Sequence, residues 1–123
     1  LGQRASALEA AIARAGAHVR KGDPHGALVL IERAASAAGS EADQFVARAA
    51  LVRASAMAAI GDTAGFDAEL ARGIAAARKR EQPHEEALLL VLDNDVRRSG
   101  GRETDAASLT RAEQILAGLG VRR

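Results

Sequence analysis

The sequence predicts an all-α fold of three stacked antiparallel helix pairs, and three observations carry that expectation. A glycine turn recurs every 39 residues, as Lys21-Gly22-Asp23, Ile60-Gly61-Asp62 and Ser99-Gly100-Gly101. Between the turns, apolar residues return at three and four, the spacing of a helix that buries one face. Alanine, the strongest helix former, is abundant, and there are only two prolines.

The period extends beyond the glycines. Shifted by 39 residues, Ile31, Leu70 and Leu109 share a column, as do Arg33, Arg72 and Arg111, while Ala34, Gly73 and Ala112 are all small. Upstream, Ile12 aligns with Leu51 and Leu90, Ala10 with Ala49 and Leu88, and His18 with Met57 and Val96. A helix hairpin cannot bury its stripe alone, so such units stack, and about three are the practical minimum. The 123 residues make one domain, 1–123, with repeats of approximately 3–39, 40–81 and 82–120.

Each helix follows from its own residues. In the first, residues 3–20, Leu8, Ala11, Ile12, Ala15 and Val19 form one stripe, and Lys21-Gly22 ends it. Asp23 caps the second and Pro24 opens it; it runs to about Ala38 with Ala27, Leu28, Ile31 and Ala35 inward, and Gly39 stops it. Ser40, with Asp43 three residues on, is expected to cap a third helix. That helix would bury Phe45, Ala49, Val52, Ala56 and Ile60 before Gly61 closes it. Asp62 or Thr63 caps the fourth, which carries Phe66, Leu70, Ile74 and Ala77 and ends on the basic run Arg78-Lys79-Arg80. Gln82-Pro83 opens the fifth, with Glu85 and Glu86 in its first turn. Its run Ala87–Leu92 is apolar all round and needs cover on several sides. The same run could read as a buried strand, but its Pro-His-Glu-Glu start and the repeat favour a helix. A sixth helix, from about Thr104 to Gly118, turns Ala106, Leu109, Ala112, Ile115 and Leu116 inward. Leu119 and Val121 would fold back over it, and Arg122-Arg123 would fray.

Composition excludes several function classes. The net charge of +1 is too balanced to predict a nucleic-acid or anionic-membrane partner. The absence of cysteine removes disulfides and thiolate metal sites. No apolar run approaches the ~18 residues of a membrane span, and no signal peptide opens the chain, so a cytoplasmic location is expected. The start at Leu1 suggests a segment of a longer protein. The three histidines, His18, His25 and His84, lack the spacing of a zinc motif, and Asp93-Asn94-Asp95 is followed by Arg97 and Arg98 rather than by the rest of a calcium loop. Those carboxylates are expected to pair with the arginines. No phosphate loop, dinucleotide fingerprint or catalytic constellation stands out. The chain reads as non-catalytic and cofactor-free.

The pattern resembles the tetratricopeptide repeat. The inter-helix glycine Gly22 is followed by Ala27, Ile31 and Ala34, Gly61 by Phe66, Leu70 and Gly73, and Gly100 by Asp105, Leu109 and Ala112. Ala15 and Ala54 match that family's small residue before the glycine, whereas Asp93 and Asp105 depart from it, the bulky aromatics are missing, and 39 residues exceed the family's period of about 34. The segments Gln82–Leu88 and Arg111–Val121 resemble the C-terminal repeat regions of large bacterial signalling proteins. Those proteins join a nucleotide cyclase or a DNA-binding domain to an ATPase domain. The Ala, Arg and Gly richness suits a GC-rich genome.

The resemblance implies a right-handed superhelix whose first helices line a concave groove. By register that groove would present Glu9, Ile12, Val19 and Arg20, then Arg48, Leu51 and Ser55, then Leu90, Asn94, Arg97 and Arg98. Its arginines would suit an acidic or C-terminal-carboxylate peptide, or a neighbouring domain. Arg33, Arg72 and Arg111, on second helices, would cover alanine-rich seams with their stems. The alternative is a free-standing bundle that homodimerises through its apolar fifth helix.

Overall fold

The computed structural model describes residues 2–120, and within them the chain is six α-helices and one 3-10 segment, with no strand. Helix α1 spans Gly2–Arg20 and α2 spans Pro24–Ala38. Between them Gly22 takes the left-handed conformation, φ +87°, and the Asp23 amide donates to the His18 carbonyl at 2.8 Å. Asp23 then caps α2, accepting from the Gly26 amide at 3.0 Å, and Pro24 occupies the first turn, where an N–H is not needed. The same device joins α3, Val46–Ile60, to α4, Thr63–Lys79: Gly61 is left-handed and Asp62, rather than Thr63, is the cap.

The third helix does not begin at Ser40. Gly39–Phe45 winds as a 3-10 segment, neither Ser40 nor Asp43 caps, and α3 starts at Val46. Such tighter turns commonly lead into α-helices. Here the segment carries Phe45, half-buried, against the first core cluster. Helix α4 ends at Lys79 and is followed by Glu81, a non-glycine residue at φ +53°, and α5 comes next at Pro83–Ser99 as a helix, not a strand. The third turn differs from the expected one. Gly101, not Gly100, is left-handed, and Arg102–Thr104 separate it from the cap Asp105, so α6 begins at Ala106 and runs to Gly118. This explains why Asp105 stands in the column of Ala27 and Phe66: it caps a helix that starts one turn late.

The 39-residue period reappears as burial. Leu8, Ala47 and Glu86 are all buried, as are Ala11, Ala50 and Leu89, and Ala15, Ala54 and Asp93. On the second helices Ala38, Ala77 and Leu116 repeat the match. Each helix packs on the next in sequence, and α3 also packs on α1 and α5; no close backbone approach joins α2 to α4, or α4 to α6, among the described residues. Arg53 of α3 spans the gap between α2 and α4, 3.2 Å from Glu32 and 3.6 Å from Glu69. Three apolar clusters form along the stack, centred on Ile31, on Phe66 and on Leu90 with Ala112.

Three residues expected to turn inward are on the surface. Ile60, the last residue of α3, is exposed, and Leu119, just past the end of α6, is also exposed. Ala106 is exposed too, in the first turn of the shortened α6. Val121, Arg122 and Arg123 lie outside the described residues. Among the described residues no helix is long and apolar enough to cross a membrane.

Candidate functional site

The three first helices, α1, α3 and α5, enclose a cleft of about 430 Å³. Ile12, Leu51, Val52 and Leu88 give it apolar walls. They meet there because α3 packs on both α1 and α5, leaving a hollow above its exposed flank. Arg20, Arg48, His84 and Glu85 supply its charged and polar groups.

The two arginines are held differently. Arg48 donates to Glu9 Oε2 at 2.8 Å, and its guanidinium lies 5.8 Å from the Phe45 ring centroid. Glu9 and Arg48 are 39 residues apart, so stacking places them side by side at one height. Arg20 is exposed, and its guanidinium folds back over Gly16: a Cβ at Gly16 would meet Arg20 Nη1 at 3.4 Å and Val52 Cγ2 at 4.0 Å. Among the described residues Arg20 has no carboxylate partner, which leaves it available for an anionic group.

Of the residues the sequence nominated, the cleft brings together Ile12, Arg20, Arg48 and Leu51, with Glu9 behind Arg48. It does not include Ser55, whose hydroxyl donates to the Leu51 carbonyl at 2.8 Å, nor Val19, which packs against the first core cluster. Leu90 and Asn94 are on another face of α5. Leu90 is buried against Ala112 and Leu116, and Asn94 is fully buried, donating to the Leu90 carbonyl at 3.0 Å and accepting from the Asp105 amide at 2.7 Å. Arg97 closes on Asp93 at 2.9 Å, and Arg98 lies 3.6 Å from Asp95. Asp93 raises the affinity of the Arg97 guanidinium for its proton, so this cation is committed within its own helix.

Carrying one column through all three units misplaced the α5 contribution. A cleft over the middle helix is walled by the forward flank of α1 and the backward flank of α5, which are different columns. Sequence reasoning therefore missed His84, Glu85 and Leu88. Shifted by 39 residues they align with Phe45, Val46 and Ala49, of which Phe45 and Ala49 pack in the first core cluster with Leu8 and Ile12 of α1.

A second polar cluster lies at α5. The buried carboxylate of Glu86 accepts from Arg111 Nε at 2.9 Å, Arg111 Nη2 at 3.3 Å and Arg78 Nε at 3.0 Å. Burial alone would push its pKa up; the bonds from Arg111 and Arg78, with their charges, outweigh burial and hold it below the ordinary glutamate value. So Arg111 does more than cover a seam, while Arg72 reaches Glu69 at 3.4 Å. A larger hollow, about 570 Å³, opens between the α3–α4 turn and the end of α5. Both of its charged lining residues are paired, Arg102 lying 3.5 Å from Asp67 and Asp95 3.6 Å from Arg98. His18 sits beside Asp23, Nδ1 to Oδ2 3.1 Å, and among the described residues no group of three or more acidic or histidine side chains could hold a metal ion.

Comparison with protein families, with curated proteins and with solved structures yields no match.

Proposed function

We propose that this chain is a non-catalytic interaction module, a tetratricopeptide-like right-handed stack whose cleft takes an acidic peptide segment or neighbouring domain. The observation that carries the reading is the convergence of Ile12, Leu51, Val52 and Leu88 from three separate helices beside the unpaired Arg20. An apolar floor supplies burial, and a guanidinium at its rim selects a carboxylate, bidentately where geometry allows. A parent protein of the bacterial regulator kind fits this role, with the chemistry in other domains.

Homodimerisation through α5 has less support. Ala87, Leu89 and Leu90 are buried within one copy, and Leu88, Val91 and Leu92 are half-buried. The exposed large apolar residues among those described are Val29, Ile60 and Leu119, none of them on α5.

A random-peptide display selection on the folded chain tests the proposal. Enriched peptides should combine an acidic with a bulky apolar residue. Arg20→Glu should weaken a selected peptide about fivefold, the scale of one rim charge pair, and Leu88→Asp should weaken it more, while Arg98→Glu should leave it unchanged. Selected peptides that bind the Arg20→Glu and Leu88→Asp variants as tightly as the parent would refute the cleft.

A further inference from the structure

Helix α6 is the least embedded helix among the described residues. Helices α1 to α5 each approach at least two others, whereas α6 approaches α5 alone. Its fully buried apolar contribution is Ala112 and Leu116. These two meet Ala87 and Leu90 of α5 in a small apolar cluster edged by Val91 and Ile115, and polar bonds complete the junction: the Asp105 amide donates to Asn94 Oδ1, and Arg111 closes on Glu86. Few apolar contacts make for low local stability. The connection is also longer here. Asp23 and Asp62 follow their left-handed glycines directly, whereas Arg102–Thr104 intervene between Gly101 and Asp105.

Removing a partner helix from a buried carboxylate ordinarily leaves a charge unpaired, at high cost. Here a second guanidinium stays behind. Glu86 also accepts from Arg78, which α4 presents, and α4 keeps its own packing on α3 and α5. Helix α5 in turn remains fixed through Leu89, with Leu92 and Val96, in the cluster around Phe66. Helix α6 carries its cap with it, since Asp105 accepts from the Ala107 and Ser108 amides of the same helix.

We infer that α6 is a displaceable strap, which opens from α5 as a unit while Arg78 holds Glu86, and whose opening uncovers Ala87 and Leu90 of α5. Two arginines on one carboxylate thus serve two states. Arg111 pairs with Glu86 when the strap is closed, and Arg78 keeps the charge compensated when it is open.

Amide hydrogen exchange on the whole chain, resolved by residue and read where exchange reports opening equilibria, tests this. In the parent, α6 amides should be protected at least tenfold less than those of α3, and Arg111→Ala should speed α6 exchange while α3 keeps pace with global stability alone. The decisive variant is Arg78→Ala. It should lower the thermal midpoint yet slow α6 exchange by about threefold to tenfold, because opening now leaves Glu86 unpaired; that is the scale of coupling within one ion-pair network. Arg78→Lys should restore the parent rate. Arg78→Gln gives the same comparison if the alanine variant does not fold. Faster α6 exchange in an Arg78 variant that removes the charge, or α6 protection equal to that of α3 in the parent, overturns the inference.

Discussion

Gly73, in the middle of α4, lies directly against Ala50 of α3 and Leu89 of α5, and replacing it with alanine sets two effects against each other. On an isolated helix Gly→Ala stabilises by roughly 0.5–1 kcal/mol, because alanine loses less backbone freedom. In this fold the new Cβ would stand 2.6 Å from Ala50 Cβ on α3 and 3.0 Å from Leu89 Cδ1 on α5. Leu89 can change rotamer. The Ala50 Cβ has no rotamer to change, so α3 and α4 must part by roughly 0.8 Å to restore an ordinary contact. Overpacking of that kind costs about 1–3 kcal/mol and outweighs the propensity gain. The expected net loss is about 1–2 kcal/mol, or roughly 3–8 °C in thermal midpoint for a chain of this size. Gly118→Ala is the matched control: its Cβ meets nothing within 4 Å and should be neutral or mildly stabilising. Adding Ala50→Gly to Gly73→Ala should recover part of the loss by vacating the contact. Thermal and urea unfolding followed by circular dichroism measure all three. A Gly73→Ala protein as stable as the parent would mean that α3 and α4 do not pack through this pair.

Two further predictions concern single sites. Glu86→Gln should cost about 1–3 kcal/mol at neutral pH by removing the charge from three hydrogen bonds. Because the folded carboxyl is held below its ordinary value of 4.5, this contribution is complete above that pH and lost as pH falls through the folded value. Urea unfolding should therefore show parent and variant converging as the pH is taken down from 4.5 through the folded value; a gap that persists or widens in acid contradicts the assignment. Glu81 occupies a left-handed position at the end of α4, where the Gln82 amide closes on the Ala77 carbonyl at 2.8 Å. Glu81→Gly should stabilise by about 0.5–1 kcal/mol, the relief of left-handed strain less the glycine entropy, and a lowered thermal midpoint would count against that geometry.

The stack was legible in the sequence because stacking imposes one burial pattern on every unit. Leu8, Ile12 and Ala15 therefore reappear as Ala47, Leu51 and Ala54 at a constant shift. The caps were legible for a local reason: glycine tolerates the left-handed turn, and aspartate accepts the free amides that follow it. The start of α3 was not, because Ser40 and Asp43 look the same before an α-helix and before a 3-10 lead-in. Half of the cleft was missed because a concave site belongs to no single column, and Leu88 enters it from the flank opposite to that of Ile12.

The Glu86 cluster had left a signal that spacing alone did not decode. A glutamate in a first helical turn ordinarily reads as a solvated partner of the helix dipole. Aligned by the period, though, Glu86 stands beneath Leu8 and Ala47, Asp93 beneath Ala15 and Ala54, and Asn94 beneath Gly16 and Ser55. A charge in a column that its sister units fill with apolar side chains is driven into the interior by the packing of its neighbours, and there it needs a counter-charge. That partner must come from a helix touching α5, which makes the arginines of α3, α4 and α6 the candidates. Arg111 shares the column of Arg33 and Arg72, yet of the three units only the third has an acid in the Glu86 column, where the other two carry Leu8 and Ala47. The third pair is thus built on a different principle from the other two. Its helices are joined by ions and by Asn94 as well as by Leu90, Ala112 and Leu116, and it is the second guanidinium on Glu86, from Arg78 of α4, that lets α6 separate with the charge still compensated.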